Sequence, residues 1–234
     1  MQSDRREFLL AAGSFGMAVL GATGTPRRSE GKEVKDKDEA EIEISAPEDL
    51  MREHGVLDRI LLIYEEGDRR LQAGADLPPE VVQQSATLVR QFVEDYHEHL
   101  EETFIFPRFE KAKTLLDLVA VLRQQHQAGR ALTDAILAAA TAERLRNDAS
   151  RQALRGSCEA FVRMYRPHAA REDTVLFPAL YTVMAAEQVK VLGEQFEEEE
   201  HRRFGEHGFE RAVEQVAAIE KQLGIYELAT FTPK

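Results

Sequence analysis

Two stretches of this chain place a histidine and a glutamate four residues apart in matching surroundings. One is His97-Glu98-His99-Leu100-Glu101-Glu102-Thr103-Phe104-Ile105-Phe106-Pro107; the other is His168-Ala169-Ala170-Arg171-Glu172-Asp173-Thr174-Val175-Leu176-Phe177-Pro178. Both read His-x-x-x-Glu, then an acid, Thr, two apolar residues and Phe-Pro. A helix turns about 100° per residue, so residues four apart lie about 40° apart and can aim the same way. Residues five apart diverge by about 140°, which turns Glu102 and Asp173 elsewhere unless the helix distorts. Imidazole and carboxylate on one inward face are ligands for a divalent transition metal.

The repeat extends backwards. His54 lies 43 residues before His97, and His126 lies 42 before His168. A lone histidine on an apolar helix face is more often a hydrogen-bonded core residue, and a single His-x-x-x-Glu is commonly a surface pair. Together they form one unit used twice, offset by 71 to 72 residues. That spacing is close to two helices with their loops. It predicts an all-α fold: an up-down four-helix bundle with an internal twofold repeat and a C-terminal helical extension. His54, His97, Glu101, His126, His168 and Glu172 would meet on the pseudo-twofold axis. Four imidazoles and two carboxylates on four helices suit two iron or manganese ions, with positions left open for water, oxygen or peroxide. Burying such groups with no compensating cation would be costly.

This constellation, followed each time by Phe-Pro, resembles the hemerythrin-like, His-His-Glu cation-binding family over about residues 47–185. The resemblance implies a bundle around a non-haem di-iron centre that binds oxygen, senses oxygen or iron, or acts on peroxide and nitric oxide. Oxygen-carrying members have another histidine four residues after the one on the third helix; here that place is Arg130. Their last carboxylate ligand lies five residues after its histidine, which would select Asp173, whereas the internal repeat selects Glu172. One fewer imidazole favours chemistry on peroxide, or iron binding itself, over reversible oxygen carriage. Arg130 is then a candidate donor to a ligand carboxylate.

The helices that must position these residues are legible from apolar spacing. The first is expected from Ser45 or Ala46, with Pro47 in its first turn, through Leu50, His54, Leu57, Ile60, Leu61 and Tyr64. The second runs from about 79 to 109, bent near Pro107. The third covers about 115–143, with Leu118, Val119, Leu122, His126, Leu132 and Ile136 inward. Asn147 or Asp148 caps the fourth, which Pro167 should kink just before His168. Residues 186–234 read as an extension with helices at Ala186–Phe204 and about 209–223, packed on the bundle or on a partner. Its acidic run Glu197–Glu200, with His201 and His207 nearby, reads as a solvated face rather than a surface cation site. Glu98 and His99 likewise read as solvated. Tyr96 and Tyr165 precede the two motifs and are candidates to pack over the site or to reach a metal.

Residues 1–24 resemble a twin-arginine export signal, with Arg5-Arg6-Glu7-Phe8-Leu9 ahead of a short apolar run. Residues 25–46 read as a charged tether. Export would suit a metalloprotein secreted already folded, touching a membrane only through an uncleaved signal. The net charge of −12 argues against nucleic acid as a partner. The lone Cys158 forms no internal disulfide. A ferritin-like oxidase would need Glu-x-x-His on two helices. Glu94 supplies one, but Tyr165 stands where the second glutamate should be. The remaining readings are a redox enzyme acting on a small oxidant and a non-catalytic module that binds or senses iron or oxygen. The sequence shows no attached signalling region, which favours the enzyme.

Overall fold

The first helix starts where a capping box can form. Ser45 accepts from the Glu48 backbone N–H while Glu48 reaches back to Ser45, and Pro47 occupies the first turn. The computed structural model describes residues 44–233; the export signal and most of the tether expected from the sequence lie outside them. Helix α1 is Ala46–Gln72, and Gly74 at φ +64° turns the chain behind it. Helix α2 occupies residues 79–112 and α3 is Leu116–Ala139. Helix α4 occupies residues 148–183 and is capped by the Asn147 side chain, which accepts from Ser150 N–H. Helices α5 (Ala186–Phe204) and α6 (Gly208–Leu223) follow. There is no strand among the described residues.

Helices α1 to α4 form the up-down bundle, each packed on its chain neighbours, with α4 closing onto α1. Leu50, Leu57, Ile60, Tyr64, Val82, Phe92, Leu122, Ile136, Leu154 and Phe161 fill its core. Leu118 and Leu132 are only partly buried against it. Helices α5 and α6 lie on the bundle itself, across α1 and α2. The bidentate pair of Arg59 with the buried Glu220 ties α6 down at 2.5 and 3.0 Å.

One local expectation needs correction. Helix α3 ends at Ala139 rather than near Glu143, and a short 3-10 turn, Arg144–Arg146, leads to α4. Pro167 does not end α4: the α-helix spans Asp148–Arg171 with Pro167 inside it, lacking only the hydrogen bond that a proline cannot donate. The wide turns sit elsewhere. Helix α2 continues through Pro107 by widening into π-helical turns at Val89–His97 and Glu101–Ile105. Helix α4 widens at Glu172–Leu176, directly before Phe177-Pro178. A proline lacks the N–H for the ladder and its ring crowds the carbonyl four residues back. The wide turns meet this by bonding Phe106 N–H to Glu101 O, and Phe177 N–H to Glu172 O, five residues back.

Candidate metal centre

All six predicted residues converge in the middle of the bundle, and none is more than 4% exposed. They fall into two groups of four, each with its donor atoms within 4.8 Å of one another. His54, His97, Glu101 and Glu172 form one; Glu101, His126, His168 and Glu172 form the other. The two glutamates belong to both groups. Glu172 Oε2 lies 3.4 Å from His54 Nε2 and 3.1 Å from His168 Nε2. Glu101 lies 3.7 Å from His97 Nε2 and 3.4 Å from His126 Nε2. Donors about 2.1 Å from one ion, at tetrahedral or octahedral angles, stand roughly 3.0–3.4 Å apart, so this spacing is that of atoms sharing a cation.

The donor set passes a second test of fit. Both carboxylate oxygens of Glu101 and both of Glu172 are buried with no hydrogen-bond partner. Buried carboxylate oxygens left without a hydrogen bond are expensive unless a cation completes them. Electrostatics without a cation tell the same story. Burial and the nearby Glu172 charge push the Glu101 carboxyl up to about 8. Burial works against a charged Glu172, yet the surrounding His168 and His54 hold its carboxyl well below the usual range. Burial also opposes charge on His54 and His126. For His54, Asp173 and Glu172 overcome it; for His126, Glu101 and Glu102 do so, and both imidazoles rise to about 10. Burial and the neighbouring His54 keep His97 neutral, far below its usual pKa.

Behind each imidazole stands an acceptor that the sequence reading did not assign. His97 Nδ1 meets Glu53 at 2.8 Å, and His168 Nδ1 meets Gln125 at 2.9 Å. His54 Nδ1 meets Asp173 at 2.7 Å, and His126 Nδ1 meets Glu102 at 2.9 Å. With Nδ1 engaged, Nε2 is free to face the shared glutamates. The signal was present: Glu53 and Gln125 each precede the early histidine, and Glu102 and Asp173 each follow the motif glutamate. Asp173 therefore stands behind His54, while Glu172 is the carboxylate within both groups. Phe106 and Phe177 of the two Phe-Pro pairs stack on His126 and His54, with ring centres 5.5 and 5.6 Å away.

Other expectations divide. Glu98 is not solvated but buried, accepting from the Tyr165 hydroxyl at 2.6 Å and pairing with Arg130 at 2.8 Å. Half-buried His99 stays at the periphery. Arg130 donates to Glu102 and forms an ion pair with Glu98, rather than reaching a ligand carboxylate. Tyr165 packs edge-on to His168 at 5.4 Å, but its hydroxyl is committed to Glu98 and its pKa is driven well above 10 by burial and that acid. Tyr96 turns its hydroxyl towards Glu200. Of the acidic run, Glu197 and Glu198 are exposed as expected, whereas Glu200 is buried and accepts from Phe209 N–H. His201 and His207 are exposed and belong to neither group.

The Hemerythrin HHE cation binding domain matches residues 45–180, and again residues 117–231. This chain belongs to the hemerythrin HHE cation-binding family. The second match joins the α3–α4 hairpin of this hemerythrin-like chain to its last two helices. Two proteins from Mycobacterium tuberculosis strains and one from Mycobacterium bovis are 51% identical over 231 residues, 98% of this chain and 91% of each relative. All three are named only as uncharacterized proteins. No solved structure matches.

Proposed function

We propose that this hemerythrin-like protein holds two non-haem iron ions and acts on hydrogen peroxide outside the cytoplasmic membrane. The observation that carries the reading is the pair of buried His2Glu2 groups joined by Glu101 and Glu172, whose four carboxylate oxygens lack hydrogen-bond partners. His54 and His97 on one side, and His126 and His168 on the other, would with Glu101 and Glu172 offer each cation four protein donors and leave coordination positions for a small ligand. Arg130, standing where an oxygen carrier has a further imidazole, is spent on Glu98 and Glu102. Manganese suits the same donors, and metal analysis separates the two. Export rests on the twin-arginine-like residues Arg5 and Arg6.

Bound iron would supply one-electron chemistry at the open positions. The chain does the rest. Glu53, Gln125, Glu102 and Asp173 hold the four Nε2 atoms inward, Phe106 and Phe177 wall the early histidines, and burial keeps bulk water out. Iron-loaded full-length protein should consume peroxide many times per chain, and the chelated protein should not. Iron-loaded protein that leaves peroxide untouched, yet changes its spectrum reversibly with oxygen, would replace this reading with the binding or sensing role.

A further inference from the structure

Resting on the two-cation reading, we propose that the two positions are unequal: the His54–His97 position binds more tightly and fills first, and Gln125 and Arg130 set the difference. The ligands themselves are matched, with two imidazoles on each side and Glu101 and Glu172 in common. The inequality lies one layer out, where the internal repeat breaks its own symmetry. The residue before the early histidine is Glu53 in one half and Gln125 in the other. Four residues after that histidine stand Asp58 in one half and Arg130 in the other. Both exchanges remove negative charge from the His126–His168 side.

Each exchange acts through a contact. His97 is backed by the Glu53 carboxylate at 2.8 Å, but His168 by the neutral Gln125 amide at 2.9 Å. A carboxylate behind Nδ1 makes the imidazole a stronger donor, and an amide does so less. Asp173 backs His54 at 2.7 Å, and the exposed Asp58 stands one helical turn after His54. Arg166, which acts on Asp58, is exposed and paired with Glu65 at 2.9 Å. On the other side Arg130 lies 2.9 Å from the Glu102 oxygen that backs His126, and so offsets its charge. That side has an extra acid, Glu98, 4.0 Å from His126, where the first half-site has Ala169. Glu98 is itself tied to Arg130 and to the Tyr165 hydroxyl. The first side thus has the carboxylates of Glu53, with Asp49 and Glu200 beside it, and of Asp173, whereas the second has the Gln125 amide and the Arg130 guanidinium among its acids, and a dication prefers the former.

The test titrates chelated full-length protein with ferrous iron, without oxygen, by calorimetry. The wild type should take up two ions in two steps separated by about tenfold or more, the scale of outer-layer effects on metal affinity. Gln125→Glu should tighten the weaker step by roughly tenfold and leave the tighter one unmoved. Glu53→Gln should weaken the tighter step by roughly tenfold and leave the weaker one unmoved. Opposite, step-specific shifts are something a general loss of packing would not produce. Two indistinguishable steps in the wild type, or variants that shift both steps together, would overturn the inequality while leaving the two-cation reading intact. No iron uptake at all would remove both.

Discussion

Glu172 and Asp173 are neighbours in the chain and do different work. Glu172 Oε2 lies between His54 and His168, whereas Asp173 reaches only the outer nitrogen of His54. Glu172→Ala should therefore cut bound iron sharply, because both positions lose a donor. Asp173→Ala should keep two iron per chain but weaken uptake by about 10–100-fold. Metal analysis after dialysis against a graded chelator distinguishes them, and equal losses would reject the division of roles. Protonation gives a further expectation. In the chelated protein the fold raises His54 and His126 from 6.5 to about 10, so the stability from their charged pairs is complete below pH 6.5 and lost as pH climbs towards 10. Glu101, raised to about 8, works in the same direction as it gives up its proton. Melting temperature of the chelated protein should fall between about pH 6.5 and 10, and bound iron should flatten that slope. A rise across this window in the chelated protein would refute the assignment.

At the scale of elements, the site depends on helices that are not regular. The sequence revealed the six inward residues because His54, His97 and Glu101 recur as His126, His168 and Glu172, and because four residues make nearly one turn. It did not reveal the acceptors behind the imidazoles, since each reaches a histidine on a different helix. Ideal geometry also turned Glu102 and Asp173 away. The wide turns before Pro107 and Pro178 lie where those acids come into reach, and sequence periodicity does not show such turns. Close packing between α3 and α4 yields its own prediction. A Cβ at Gly129 would sit 1.9 Å from the Tyr165 hydroxyl. Gly129→Ala must displace Tyr165 from Glu98, and overpacking of this kind costs about 1–3 kcal/mol. Chemical denaturation reads that loss; a variant as stable as the wild type would show that α3 and α4 are looser than described.

For the whole molecule, the last two helices are part of the folded body. Phe204 and Phe209 pack on Phe92, Arg52 lies over Phe209, and Arg70 donates to the Leu223 carbonyl at 2.6 Å. Glu200 of α5 comes within 4.8 Å of Asp49 and Glu53, so the extension borders the layer behind His97. The acidic run alone did not show this, because its four members are all glutamates and only packing decides which one turns inward. Arg59→Ala leaves Glu220 without its bidentate partner and should cost about 1–3 kcal/mol. Iron stoichiometry should stay at two, since none of the six donors of the paired site belongs to α5 or α6. Full stability in that variant would mean the helices are held by apolar packing alone. The most direct test of the central claim is the iron bound per chain when chelated, folded full-length protein is reconstituted without oxygen and passed through a desalting column. Two irons per chain are predicted; a folded protein that retains one or none would contradict the paired site.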